Sequence, residues 1–271
     1  MKPRSTEGAP QGDGAVAAER EAGSAADSEA GGAADREARG ARQTQPSGPP
    51  LTPPLPRFDV ASRPTGRGYR LPRCSGCRAP LDHCFCAELV EVDCNIRVLV
   101  ILHALEQFRP TNTGRYATQV LKGAELRIRG GRSETGTPVP LELGDLDPED
   151  SNVLLLHPGP EAELLDAHFQ QPPGPVRLVV PDGTWTQTRQ MLRREPRLKA
   201  LRQVVLPRGK PSIYALRRGV TPDGLCTLEA IARALRALGQ ADAALRLEHI
   251  LLTAVRVGMA ARGYHDWQPP A

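Results

Sequence analysis

The chain has 271 residues, 39% of them hydrophobic and 24% charged, with a formal net charge of +4, which admits one large domain or two small ones. No apolar run reaches membrane-spanning length, and no apolar core follows Lys2 and Arg4, which excludes a transmembrane protein and a secretory signal. A soluble cytoplasmic protein is expected.

Residues 1–60 consist mainly of Ala, Gly, Pro, Glu, Arg and Ser, with Phe58 as their only aromatic residue. Such a segment cannot bury enough apolar surface to offset its chain entropy and is expected to be disordered. It holds 7 basic and 9 acidic residues, so residues 61–271 keep 28 and 22, a net +6. That excess is concentrated between Arg189 and Arg218, where ten basic residues accompany the single acid Glu195. A stripe of this density suits a polyanion, although a solvated helix face would show the same composition.

Four of the six cysteines fall within thirteen residues, as Cys74-x-x-Cys77 and Cys84-x-Cys86. Two thiol pairs joined by a short loop can fold as knuckles around one tetrahedral zinc ion over residues 70–95. Two disulfides are the alternative, disfavoured in a reducing compartment, and His83 could replace one thiol. Cys94 and Cys226 read as small buried hydrophobes.

From residue 96 to residue 268 the pattern is that of an α/β domain. Ile96–Leu102, Val153–Leu156, Val176–Pro181 and Val204–Leu206 read as strands buried on both faces, with Glu125–Ile128 a weaker strand. Helical periodicity marks Asn112–Lys122, Glu161–Phe169, Thr184–Arg194, Thr227–Leu238 and Ala241–Ala261. This alternation predicts a mostly parallel sheet flanked by helices, with ligands gathering at the carboxyl ends of the strands. Polar segments fall at three of those ends: His103–Glu106 with Arg109–Arg115, His157-Pro-Gly159, and Asp182-Gly-Thr-Trp185.

Thr184 with Gln187 three residues on forms a capping-box pattern, which sets Asp182 between a strand end and a helix start. A carboxylate there can act as a base or accept a hydrogen bond from a ligand amine, and Trp185 can stack on a base. Asp182 could equally just mark the helix terminus, with Trp185 in the core. Further on, Ser212, Arg217 and Arg218 adjoin a loop, and Thr227 reads as the cap of a helix whose backbone N–H groups suit an anion. No Gly-x-Gly-x-x-Gly motif follows a strand, and there is no Walker-type loop.

In order, the cysteine knuckle, His103…Glu106…Thr111-Asn-Thr-Gly-Arg115, Leu156-His-Pro-Gly159, Asp182-Gly-Thr-Trp185, Ser212…Leu216-Arg217 and Gly224-Leu-Cys-Thr-Leu-Glu-Ala230 resemble the DTW-domain family of transfer RNA uridine aminocarboxypropyltransferases. The resemblance implies a SPOUT-like fold with a C-terminal knot that forms an S-adenosylmethionine pocket. It also implies transfer of the 3-amino-3-carboxypropyl group of that co-substrate to N3 of a uridine, with transfer RNA rather than DNA as partner. It makes Asp182 and Trp185 the catalytic pair. Thr184, Leu206, Pro207, Ser212, Leu225, Cys226, Thr227 and Glu229 become cofactor contacts, and Arg115, Arg208, Lys210, Arg217 and Arg218 RNA contacts. A SPOUT-type methyltransferase and a non-catalytic zinc-knuckle RNA-binding protein are the alternatives.

Overall fold

The computed structural model describes residues 72–216 and 224–269. The expected disordered tail, Arg217 and Arg218 lie outside these residues. So does part of the connection on which a knot would depend, the stretch 217–223.

Six parallel strands form one sheet: β1 (Arg97–His103), β2 (Glu125–Arg129), β3 (Val153–Leu156), β4 (Glu163–Leu164), β5 (Arg177–Asp182) and β6 (Arg202–Val205), in the order β2-β1-β5-β3-β6-β4. Their apolar runs lack alternation because both faces are covered. Val98, Val100, Leu154, Leu178 and Val180 point to one face; Leu99, Ile101, Leu155 and Val179 point to the other. The first face packs against α1 (Gly114–Val120), α4 (Thr227–Ala237) and α5 (Ala241–Ala260). The second packs against α2 (Trp185–Arg194), α3 (Pro196–Ala200) and the apolar residues Leu143 and Leu146 of the long β2–β3 connection. This is the expected parallel α/β architecture, and among the described residues no helix is long and apolar enough to cross a membrane.

One expected helix is absent. The stretch 161–169 instead supplies the two-residue edge strand β4, and Leu165 N–H donates to the Val205 carbonyl at 2.8 Å. The free edge of β6 offers backbone partners, Arg202 grips the Glu163 carboxylate with two hydrogen bonds of 2.7 Å, and Leu165 is buried. These tertiary contacts override a short and weak helical period.

The cysteine segment is not a separate body. Cys77, Ala79 and Phe85 belong to the core that holds α1, α4 and α5. Phe85 packs on Tyr116 of α1 with ring centroids 5.7 Å apart, and the Tyr116 hydroxyl donates to the Cys77 carbonyl at 2.8 Å.

Candidate active site and metal centre

The carboxyl ends of β3, β5 and β6 open into a cleft of about 500 Å³. Leu156 and His157 border it from β3, Val180 to Asp182 from β5, and Val204 to Leu206 from β6. The start of α2, the start of α4 and the loop from Pro207 to Tyr214 close its sides. Of the expected cofactor residues, Thr184, Leu206, Pro207, Ser212, Leu225, Cys226 and Thr227 all line this cleft, as do Asp182, Trp185, Arg208 and Lys210.

Asp182 sits at its floor, 2% exposed. Asn112 Nδ2 donates to Oδ2 at 2.6 Å and Thr227 Oγ1 donates to Oδ1 at 2.6 Å. Both oxygens are therefore fixed in direction. The approach depends on Gly114, where a Cβ would collide with Asp182 Oδ2. Neither Asn112 nor Gly114 carried a role in the sequence reading. Both belong to the Thr111–Arg115 element of the family resemblance, which is the signal that could have found them.

The helix start after Asp182 forms as expected. Gln187 N–H donates to Thr184 Oγ1 at 3.3 Å, and Thr184 N–H donates to Gln187 Oε1 at 2.6 Å. This box leaves Trp185 on the first turn and 54% exposed, its ring 6.4 Å from that of His157 at an interplanar angle of 67°. Trp185 is thus a cleft-wall residue and not a core residue. His157, part of the second polar segment but without a role there, has both ring nitrogens buried, and burial lowers its pKa.

The start of α4 differs from expectation. Cys226, not Thr227, is the cap, and Cys226 N–H donates to the Glu229 carboxylate at 3.1 Å. The same carboxylate accepts from Ile213 N–H at 2.9 Å and from the Ser212 hydroxyl. Thr113 Oγ1 accepts from Leu228 N–H at 3.3 Å. Two amides of the expected anion cradle are therefore satisfied internally, and buried Glu229 braces the cleft wall from behind. Thr227, freed from capping, directs its hydroxyl to Asp182. Burial raises the Cys226 thiol pKa, as expected of a hydrophobe and not of a nucleophile.

The basic stripe divides. Arg197 donates to the carbonyls of Gly144 and Leu146, and Arg202 is bound to Glu163. Arg208 and Lys210 are exposed on the cleft rim. Arg115 stands apart from them, 7% exposed, with its guanidinium donating to the carbonyls of Arg109 and Asn112 and lying over the Tyr116 ring.

The four clustered cysteines present sulfur atoms all within 4.8 Å of one another. Cys74 and Cys86 Sγ are 3.4 Å apart, and Cys77 and Cys84 Sγ 3.8 Å, too far for disulfides. A tetrahedral ion with bonds of about 2.3 Å places its sulfurs about 3.8 Å apart, so the group can hold a metal ion. Burial raises the thiol pKa of Cys74, but the backbone of Cys77 and the thiol of Cys86 outweigh it and hold Cys74 at about 7.

Comparison with protein families matches residues 71–257 to the DTW domain. Among curated proteins, the chain is 29% identical over 148 residues to a protein of Macaca fascicularis named tRNA-uridine aminocarboxypropyltransferase 2, covering 53% of this chain and 48% of the relative. A Mus musculus protein of the same name is 28% identical over 146 residues, with 53% and 48% covered. The chain thus spans about half the length of these relatives, and no solved structure matches it. With the family match running from the cysteine knuckle through the Asp182 cleft and into α5, the chain belongs to the DTW domain family.

Proposed function

We propose that this protein modifies transfer RNA by transferring the 3-amino-3-carboxypropyl group of S-adenosylmethionine to N3 of a uridine. The observation that carries this reading is Asp182: a buried carboxylate, oriented at both oxygens, on the floor of a cleft with an exposed tryptophan and a basic rim. Family membership and the names of the two relatives support it.

The cleft suits both reactants. Its volume lies in the range of small-molecule sites, and Leu156, Val180, Leu206 and Leu225 give it apolar walls for an adenosyl group. S-adenosylmethionine, when bound, supplies an activated γ-carbon and departs as methylthioadenosine. Asp182 accepts the N3 proton of the uracil, a weak acid, as attack proceeds, and Asn112 and Thr227 hold its carboxylate in line. Trp185 offers a ring face on which the uracil stacks. Ser212 and Glu229 fix the 207–214 wall, and Thr184 fixes the turn that carries Trp185. Arg208 and Lys210, with Arg217 and Arg218 beyond the described residues, contact RNA phosphates. Cys74, Cys77, Cys84 and Cys86 hold a structural zinc ion.

The test is incubation of the protein with S-adenosylmethionine and unmodified transfer RNA, followed by mass spectrometry of nucleosides and small products. Aminocarboxypropyluridine and methylthioadenosine are expected. A methylated nucleoside with S-adenosylhomocysteine would overturn the reading. Asp182→Asn preserves shape and should lower the rate by about 100- to 10,000-fold while leaving co-substrate affinity within about twofold.

A further inference from the structure

A second cavity, of about 370 Å³, adjoins the main cleft, and Thr111, Thr113 and Tyr214 line both. The cysteine knuckle contributes Arg73, Arg78 and Phe85 to its walls, the 109–113 loop contributes Arg109, and the chain just beyond α5 contributes Arg262. Among the described residues that line it, none is acidic. The nearby buried Glu106 is ion-paired with Arg109 at 3.1 Å.

Arg78 is the informative residue. Its φ of 61° makes it the one non-glycine residue with positive φ among those described. It follows the Cys-x-x-Cys turn, where its N–H donates to the Cys74 carbonyl at 3.0 Å and its own carbonyl accepts from the Arg73 guanidinium at 2.9 Å. The left-handed conformation is strained for a residue that bears a side chain, a strain that glycine avoids. The knuckle thus keeps a long cationic side chain where its backbone favours none, and that side chain lines the cavity. A strained residue held in place points to a use for its side chain. The charge of Arg78 also reaches the buried Arg115, whose pKa is lowered chiefly by desolvation and further by Arg78.

We infer that this cavity is a second RNA subsite, seating a backbone phosphate of the strand whose target nucleotide occupies the main cleft, with Arg78 and Arg262 as its guanidinium contacts. The shared wall at Thr111, Thr113 and Tyr214 makes the two sites adjacent, as neighbouring positions on one strand require. Guanidinium groups bind phosphate oxygens with fixed, often bidentate geometry. The inference rests on RNA being the substrate, as proposed above.

The experiment measures binding of a fluorescein-labelled, unmodified transfer RNA transcript to the full chain between about 50 and 200 mM salt. Arg78→Gly should weaken binding about fivefold and make the logarithmic salt slope shallower by about one, while zinc content and thermal midpoint hold or rise because the strain is relieved. A role confined to the knuckle would move stability and leave RNA binding alone. Arg262→Gln, outside the cysteine segment, should weaken binding in the same way, so a loss of zinc in the first variant does not obscure the result. Affinity and salt slope equal to wild type in both variants would sink the subsite while the RNA reading stands. A wild-type protein that binds no transfer RNA would remove both.

Discussion

At Gly114 the fold has no room for a methyl group, since a Cβ there would overlap Asp182 Oδ2 and press on Thr227 Cγ2, 3.2 Å away. The same carboxylate is held by Asn112 and Thr227 at 2.6 Å each, so any displacement breaks both bonds together. Gly114→Ala should therefore lower activity about 100-fold, the order expected for misplacing a reacting group by about 1 Å. A parallel denaturation curve would separate this from unfolding, and full activity in the variant would remove Asp182 from the mechanism. Asp182 and Trp185 were legible in the sequence because a capping box after an apolar strand fixes a sharp strand-to-helix turn. Their supports were not: Asn112 is 70 residues from Asp182, and only the pairing of β1 with β5 brings the two segments together.

Among the elements, α4 is tied to the cleft wall by one side chain. The Glu229 carboxylate accepts from Cys226 N–H in its own helix and from Ile213 N–H and the Ser212 hydroxyl in the cleft wall. Glu229→Ala should cost about 2–3 kcal/mol in chemical denaturation, since it removes a cap and leaves buried donors unpaired. It should also raise the KM for S-adenosylmethionine more than it lowers kcat, because the wall and not the base is disturbed. The helices α2, α4 and α5 were readable because each is long enough to repeat its apolar face. The strand β4 was not, for two residues carry no period, and its existence is decided by Arg202 and by the open edge of β6. Likewise, Thr227 looks like a cap by type, yet Cys226 takes that position because Thr227 is bonded to Asp182.

For the whole molecule, the cysteine knuckle and the α/β body stand or fall together. Phe85 and Cys77 are part of the main core, and Tyr116 ties the knuckle backbone to α1, whose first residue is Gly114. Purified protein should contain about one equivalent of zinc, and Cys77→Ser or chelation should lower the thermal midpoint and the activity together. Metal analysis showing none, or a chelated protein with unchanged midpoint, would remove the zinc assignment.

The sheet order has a consequence for the protein's synthesis. β5 lies between β1 and β3, so the strand that carries Asp182 is also the one that joins the two parts of the sheet. A nascent chain extended only to residue 176 can pair β1 with β2, but β3 has no neighbour until β5 follows, and β3 also waits for β6 at 202–205 on its other side. Throughout that interval the emerging polypeptide carries bare, apolar strand edges, the kind that invite aggregation. The segment that joins β1 to β3 also delivers the cleft's carboxylate, while β6, the 207–214 wall and Thr227, which complete the sheet and the site, are made only afterwards.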